Sequence, residues 1–223
     1  MAIGTDEDAR FDYVVVGAGT AGCLLADRLS ATGASVCVLE AGGRDWSPLI
    51  HLPVGYVWNV HSRRLTWDYA VEPGPVVNRR FRLPQGKVLG GSSSINGLSH
   101  VRGQRQDYDD WAAAGNPGWS YLEILPYFMR SERKIGVGDD RFRGRSGSLH
   151  ITDQDWSHPI CDAFVNGLSE LGIPLTEDYN GMVHTGGGYL QRAIHKGRRC
   201  SSARAFLKPA MQRPNVEVRT RAH

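Results

Sequence analysis

At 223 residues the chain has room for one large domain, or for one domain and part of another. Its 41% hydrophobic and 22% charged content is that of a globular protein. A net charge of +3, spread over short clusters (Arg63-Arg64, Arg79-Arg80, Lys196 to Arg199) that read as solvated surface, gives no footing for nucleic acid, and no window approaches the roughly 18 apolar residues that span a bilayer.

Met1 to Arg10 is acidic and polar, which is not the pattern of a secretory leader. Phe11 to Val16 then forms an apolar run broken only by Asp12, short enough for a buried parallel strand. It runs into Gly17-Ala18-Gly19-Thr20-Ala21-Gly22, with GxGxxG spacing. Ala21 to Leu29 carries the apolar stripe of a helix, Gly33 stands just past its end, and Ser35 to Leu39 is a second strand finishing at Glu40. This is the βαβ unit of a dinucleotide-binding fold.

Each residue type has a task there. Gly17 allows the tight turn, Gly19 lets the backbone approach a pyrophosphate, and Gly22 lets helix and strand pack closely. The helix start offers free N–H groups and a partial positive charge to phosphates. Glu40, about twenty residues beyond the glycines, can accept hydrogen bonds from ribose hydroxyls, and an acid there argues against a ribose phosphate and so against NADP. The motif does not choose between FAD and NAD.

Leu49 to Tyr69, with Trp58 and Trp67, lacks a clean period and is expected either to cover a ligand or to form an extended loop packed by its aromatics. Gly86 to Gly97 (GKVLGGSSSING) places two glycines and three serines in one loop, bracketed by Leu89 and Ile95. Apolar brackets favour a packed, ligand-binding loop over a flexible linker.

Farther on, Ile160, Phe164, Leu168 and Leu171 are spaced as one helical face, ended by Gly172 and Pro174. Val183 to Ile194 reads as strand and turn, Ser201 to Met211 as a helix, and Val216 with Val218 as a final strand. Cys23, Cys37, Cys161 and Cys200 form no CxxC pair and read as reduced thiols, from which a cytoplasmic location is expected.

Gly86 to Asp109 resembles the first signature of the glucose–methanol–choline oxidoreductase family, with the double glycine, the serines, Asn96, Gly103 and Asp109 in register. His100 departs, standing where an aromatic residue or alanine is usual, and reads as packing. Leu39 to Gly43, Gly197 to Arg204 and Arg213 to Val216 are similar to further family segments, and Gly115 to Tyr121 followed by Leu125 to Phe128 resembles a segment shared by choline-dehydrogenase-like members.

The resemblance implies an α/β fold: an FAD-binding, Rossmann-like parallel-sheet domain with part of an α+β substrate domain, truncated. Residues 1–150 would be the first part of the FAD domain, 151–195 a partial substrate domain and 196–223 a return to the FAD domain. The pyrophosphate would lie over Gly17, Gly19, Thr20, Ala21 and Gly22. Glu40 and Ala41 would hold the adenosine ribose. Val88, Gly91 and Ser92 would flank the flavin, and Asn96, Gly97, Leu98 and Ser99 would run along its ring system. Some relatives attach flavin through a histidine at the position of Ile95, so non-covalent FAD is expected here.

By the same resemblance, the complete enzyme would oxidise a small-molecule alcohol by hydride transfer to flavin, then pass electrons to a quinone, a protein or oxygen. The family's active-site histidine belongs to a carboxyl-terminal region with no counterpart in this chain, so no catalytic residue and no metal ligand is assigned. A complementing carboxyl-terminal half is expected to flank the first strand, whose edge would otherwise favour aggregation. A non-catalytic flavin-binding fragment and a hydroxynitrile lyase of the same fold are the alternatives. An NAD-dependent dehydrogenase is a rival that the Gly90 to Asn96 loop opposes.

Overall fold

The computed structural model describes residues 9–76 and 78–223. In chain order its elements are β1 (Tyr13–Val16), α1 (Thr20–Ser30), β2 (Val36–Glu40), α2 (Pro48–His51), α3 (Tyr56–Asn59), β3 (Tyr69–Val71) and β4 (Phe81–Leu83). There follow α4 (Arg105–Ala113), α5 (Tyr121–Ser131), β5 (Glu132–Lys134), β6 (Leu149–Ile151), α6 (Pro159–Glu170), β7 (Ile194–His195), β8 (Arg198–Arg199), α7 (Lys208–Ala210) and β9 (Val216–Thr220). A π-helical stretch, Ala203–Leu207, leads directly into α7.

These elements form two compact units, one of residues up to Asn96 together with Ser201–His223, the other Gly97–Cys200. The functional division expected at 150/151 and 195/196 does not coincide with them. The contacts change at Asn96 and Gly97, and again at Cys200 and Ser201.

The first unit is built on a parallel sheet in the order β1-β2-β9. Val14 pairs with Cys37, and Val38 with Val218 on the other side, so β2 is the central strand. A central strand buries both faces, which is why Val36, Cys37 and Val38 are all buried and why β2 is an unbroken apolar run. By contrast β1 lies at the edge, with Val14 56% and Val16 83% exposed.

Helix α1 links the two strands and begins one residue earlier than the apolar stripe implies, at Thr20. Its far end is held by the segment before β9. Arg213 donates from Nη1 to the Asp27 carbonyl and to Ser30 Oγ, and from Nη2 to the Asp27 carboxylate at 3.0 Å. Asn215 donates to the carbonyls of Ser30 and Ala34. The Asp27 and Ser30 carbonyls at the helix end, which also accept from Ala31 N and Gly33 N, thereby gain second partners.

Residues 48–59 are not an extended loop. They wind into α2, a 3-10 turn at Pro53–Gly55 and α3, and Ile50 packs with Val88 and Ile95 in a small apolar cluster.

In the second unit, α6 forms as its spacing indicates, but Ile160, Phe164 and Leu171 are 74%, 69% and 79% exposed. The expected strand over 183–194 is mostly absent. Only Ile194 belongs to a strand, and the rest joins through single bridges such as Leu175 to Gly187 and Thr152 to Arg192. Three glycines, 186 to 188, lie in that stretch, and glycine weakens a strand by its entropy.

This unit's interior is charged. Glu132 is 1% exposed and accepts from Arg102 Nη2 at 2.5 Å and from Arg143 Nε at 2.7 Å. Arg143 also reaches Asp178 and Gln191. Burial alone would push the Glu132 carboxyl up, but its bonds to His100 and Arg143 and the charges of Arg102 and Arg143 hold it down at about 2. His100 packs beside this network, its Nε2 3.4 Å from Glu132.

Among the described residues no helix is long and apolar enough to cross a membrane.

Candidate functional site: a glycine cradle at the start of the first helix

The turn after β1 carries the geometry that its glycines allow. Gly17 has φ +94°, a region that costs a side-chain-bearing residue strain, and its N–H donates to the Leu39 carbonyl at 2.7 Å. Gly22 faces inward: a Cβ there would lie 1.9 Å from the Gly17 carbonyl oxygen, so only glycine lets α1 sit this close to the turn. At Gly19 the same test meets nothing within 4 Å. The space above the helix start is open.

Gly19 is also the N-cap of α1 and supplies no side-chain hydrogen bond, and the helix has no acidic residue in its first turn. Its first N–H groups, with Thr20 and Ala21 leading, are thus offered outward with the positive end of the helix dipole. An anion is what such an end accepts.

The serine loop closes over the turn from the other side. Gly90 donates to the Ala18 carbonyl at 2.7 Å. Gly91, at φ +54°, packs so tightly that a Cβ would stand 2.8 Å from Gly19 Cα. Gly91–Ser94 is a 3-10 turn. Its serine hydroxyls are used within the unit: Ser92 donates to Gln85 and accepts from Gly86, Ser93 donates to the Gly90 carbonyl and accepts from Ser202, and Ser94 donates to the Leu89 carbonyl. What the loop presents is backbone, positioned by its own side chains.

Glu40, a buried residue only 6% exposed, ends β2, one carboxylate oxygen accepting from Ala18 N and the other from Gly42 N, both at 2.8 Å. Each oxygen retains a lone pair. Beneath the turn, Cys23 Sγ donates to the Ala18 carbonyl at 3.3 Å, and burial pushes the Cys23 thiol up to about 12.

Of the residues expected from sequence, Gly17, Gly19, Thr20, Ala21, Gly22, Glu40 and Gly91 gather at this turn. Ala41 lines an adjoining cavity. Val88 is fully buried in the cluster with Ile50 and Ile95, and Ser92 is half-buried. Asn96 is exposed and is the last residue of the first unit before the chain enters the second. Within the second unit, Leu98 is buried at φ +66° with its carbonyl accepting from Ala193, Ser99 bridges Arg192, and Gly97 is exposed.

Sequence reasoning missed the Arg213 and Asn215 clamp on α1. It also missed Lys87 and Arg221, which line the cavity beside Ala41. Lys87 lies within the serine-loop segment and Arg221 in no motif, but only folding brings the two together at the ends of β2 and β9.

The cradle has the open anion-facing turn, the close glycine packing and the acid that a dinucleotide pyrophosphate and ribose require. Comparison with known proteins agrees. A family profile described as GMC oxidoreductase matches residues 11–223. The "Oxygen-dependent choline dehydrogenase" of Sinorhizobium medicae (strain WSM419) is 45% identical over 209 residues, covering 93% of this chain and 38% of that protein. That of Rhizobium etli (strain CIAT 652) is 44% identical over 207 residues. Among solved structures, pyridoxine 4-oxidase from "Mesorbium loti" superposes with TM-score 0.88 at 32% identity, covering 95% of this chain and 42% of that one. An FAD-dependent oxidoreductase from Chaetomium thermophilum gives TM-score 0.83 at 29% identity, covering 94% and 38%. The chain thus spans less than half the length of these relatives.

Proposed function

The chain belongs to the GMC oxidoreductase family, and from that premise we propose that it is the FAD-holding, amino-terminal part of an enzyme that oxidises a small-molecule alcohol at its CH–OH carbon. The observation that carries this reading is the open space at Gly19, framed by Gly91 and Glu40, at an uncapped helix start. Bound flavin would supply the two-electron acceptor. The residues present do the rest of what this part can do. Gly17 to Gly22 and the first N–H groups of α1 receive the pyrophosphate, Glu40 and Ala41 orient the ribose, and the Gly91 turn limits the depth of approach. Residues 1–150 and 196–223 would serve the cofactor, and 151–195 the substrate.

Non-covalent attachment is part of the proposal. Ile95 offers no nucleophile, and its side chain is 2% exposed in the cluster with Ile50 and Val88. No residue of this chain is assigned the catalytic proton transfer. That role, and a strand beside β1, would come from a complementing carboxyl-terminal half, a reading supported by the exposure of Val14 and Val16. The electron acceptor, a quinone, a protein or oxygen, would meet the flavin in that complete enzyme, with a dehydrogenase favoured by the choline-dehydrogenase-like relatives. Free thiols at Cys23, Cys37, Cys161 and Cys200 support a cytoplasmic setting.

The test is direct. The polypeptide at its natural length, purified from cells, should be yellow, release intact FAD on denaturation, and bleach anaerobically with an alcohol substrate. A colourless protein that binds NAD instead would overturn the reading. Flavin that stays in the denatured polypeptide would overturn only its non-covalent attachment, and flavin that no alcohol bleaches would favour a lyase of the same fold.

A further inference from the structure

Beside the cradle lies a cavity of about 1180 Å³, larger than the roughly 300–1,000 Å³ of ordinary ligand pockets. Its lining includes Arg44, Arg63, Arg64, Lys87 and Arg221 and no carboxylate. The sequence presents Arg63-Arg64 as an ordinary solvated pair. Folding instead assembles five cations from four separate segments around one concavity.

Little nearby neutralises them. Asp45 is buried and turned to Lys208, 2.9 Å away. Asp68 pairs with Arg82 at 2.5 Å and stands 3.9 Å from Arg63, whose side chain is 81% exposed. Arg44 lies over the Trp46 ring and Lys87 over the Trp67 ring, at 5.6 and 4.2 Å, contacts that orient a cation without cancelling its charge. Among the described residues Arg64 and Arg221 have no carboxylate within ion-pair distance. The Arg221 backbone is pinned at φ +63°, its N–H donating to the Gly42 carbonyl at 2.8 Å.

The cavity adjoins the cradle along both walls. Ala41 follows Glu40, which holds Ala18 N, and Lys87 precedes Val88, whose carbonyl accepts from Gly91. None of Gly17 to Gly22 lines it, so its cations stand outside the place where the pyrophosphate would rest. A concave wall of one sign focuses field lines and concentrates a ligand of opposite sign, raising association rates by about 10- to 1,000-fold. The dinucleotide of the proposed function carries two negative charges on its pyrophosphate.

We propose that this cavity is the electrostatic entrance that captures the dianionic dinucleotide and delivers it to the glycine cradle. The inference rests on the flavin reading and adds a kinetic role to Arg64 and Arg221 that the cradle itself does not need.

Flavin-depleted protein of natural length, mixed rapidly with FAD, reports capture through the change in flavin fluorescence. Between about 10 mM and about 150 mM salt, where the Debye length shrinks from roughly 30 to roughly 8 Å, the capture rate should fall at least about tenfold. Arg64→Glu with Arg221→Glu should lose a similar factor at low salt and most of the salt dependence, with FAD dissociation changed less than about twofold. The milder Arg64→Gln with Arg221→Gln should fall between, and Arg141→Glu, an exposed single charge reversal in the second unit that matches Arg64→Glu made alone, should leave the rate alone. Neutral riboflavin should associate at a salt-independent rate. Capture of FAD that ignores salt, or charge reversal that acts only on dissociation, overturns the entrance and leaves the flavin reading standing. Failure to take up flavin at any salt concentration sinks both.

Discussion

The Glu40 carboxylate accepts the Ala18 N–H at 2.8 Å, so the last side chain of β2 fixes the glycine turn that follows β1. With its other oxygen on Gly42 N, one buried acid ties together the ends of β1 and β2, where the dinucleotide of the proposed function would rest.

Replacing Glu40 with alanine leaves two N–H groups without their acceptor, each worth about 1–3 kcal/mol when buried. The expected outcome is a loss of about 2–4 kcal/mol in unfolding free energy and a weaker hold on FAD, measured by denaturant titration and flavin release. An unchanged midpoint would mean that the turn is held by the Gly17 and Gly90 backbone bonds alone.

Two glycines of the same turn should respond in opposite ways. Gly22→Ala drives a Cβ into the Gly17 carbonyl and should cost more than about 2 kcal/mol of stability. Gly19→Ala meets open space, so the melting temperature should hold while FAD affinity drops at least about tenfold. Thermal melts paired with flavin titration separate the two, and a Gly19→Ala protein with full affinity would displace the pyrophosphate from this turn.

Glu132 provides a pH signature for the second unit. Its folded pKa of about 2 lies below the ordinary 4.5, so the stability it contributes is present above about pH 4.5 and is lost as pH falls toward 2. The loss should be no more than about 3 kcal/mol over that window. Glu132→Gln, which strands Arg102 and leaves Arg143 with Asp178 as its one carboxylate partner, should cost about 3–5 kcal/mol at neutral pH and flatten the acid limb. Melting followed from pH 6 to pH 2 reads both effects.

The edge strand makes a solubility prediction. Val14→Lys in the 223-residue chain should reduce light scattering on concentration, because a charge on an exposed edge opposes strand-to-strand pairing. In the natural-length protein the same change should lower stability if a further strand covers β1. Improved behaviour in both contexts would argue against a covering strand.

Thiol labelling checks the packing around the cradle. Cys161 is exposed and should react first with iodoacetamide at pH 8, whereas Cys23, buried and pushed up to about 12, should react only on unfolding. Rapid native-state labelling of Cys23 would mean that the turn opens.

The βαβ unit was legible because its signals are local. An apolar run, three glycines with fixed spacing and a terminal acid each state a backbone requirement that holds wherever the chain goes. The boundaries of β1, α1, β2 and β9 accordingly fall within a residue or two of the pattern. Val183 to Ile194 misled because apolar residues broken by glycines can be read as strand and turn, while the backbone there makes only isolated bridges. The surroundings of His100 were hidden for another reason: its neighbour Glu132 lies 32 positions away, and no periodicity announces a buried carboxylate that two arginines hold in place.

By itself, then, the order of residues determined the cradle, since glycine's freedom and the placement of Glu40 after a strand are properties of short segments. The tertiary structure alone decided where charge accumulates. Arg44, Arg63, Arg64, Lys87 and Arg221 are remote in the chain, and each is unremarkable as a surface cation. Their joint field exists only because the parallel sheet brings the ends of β2 and β9 to one side, where Coulomb energies depend on distance in space rather than along the sequence.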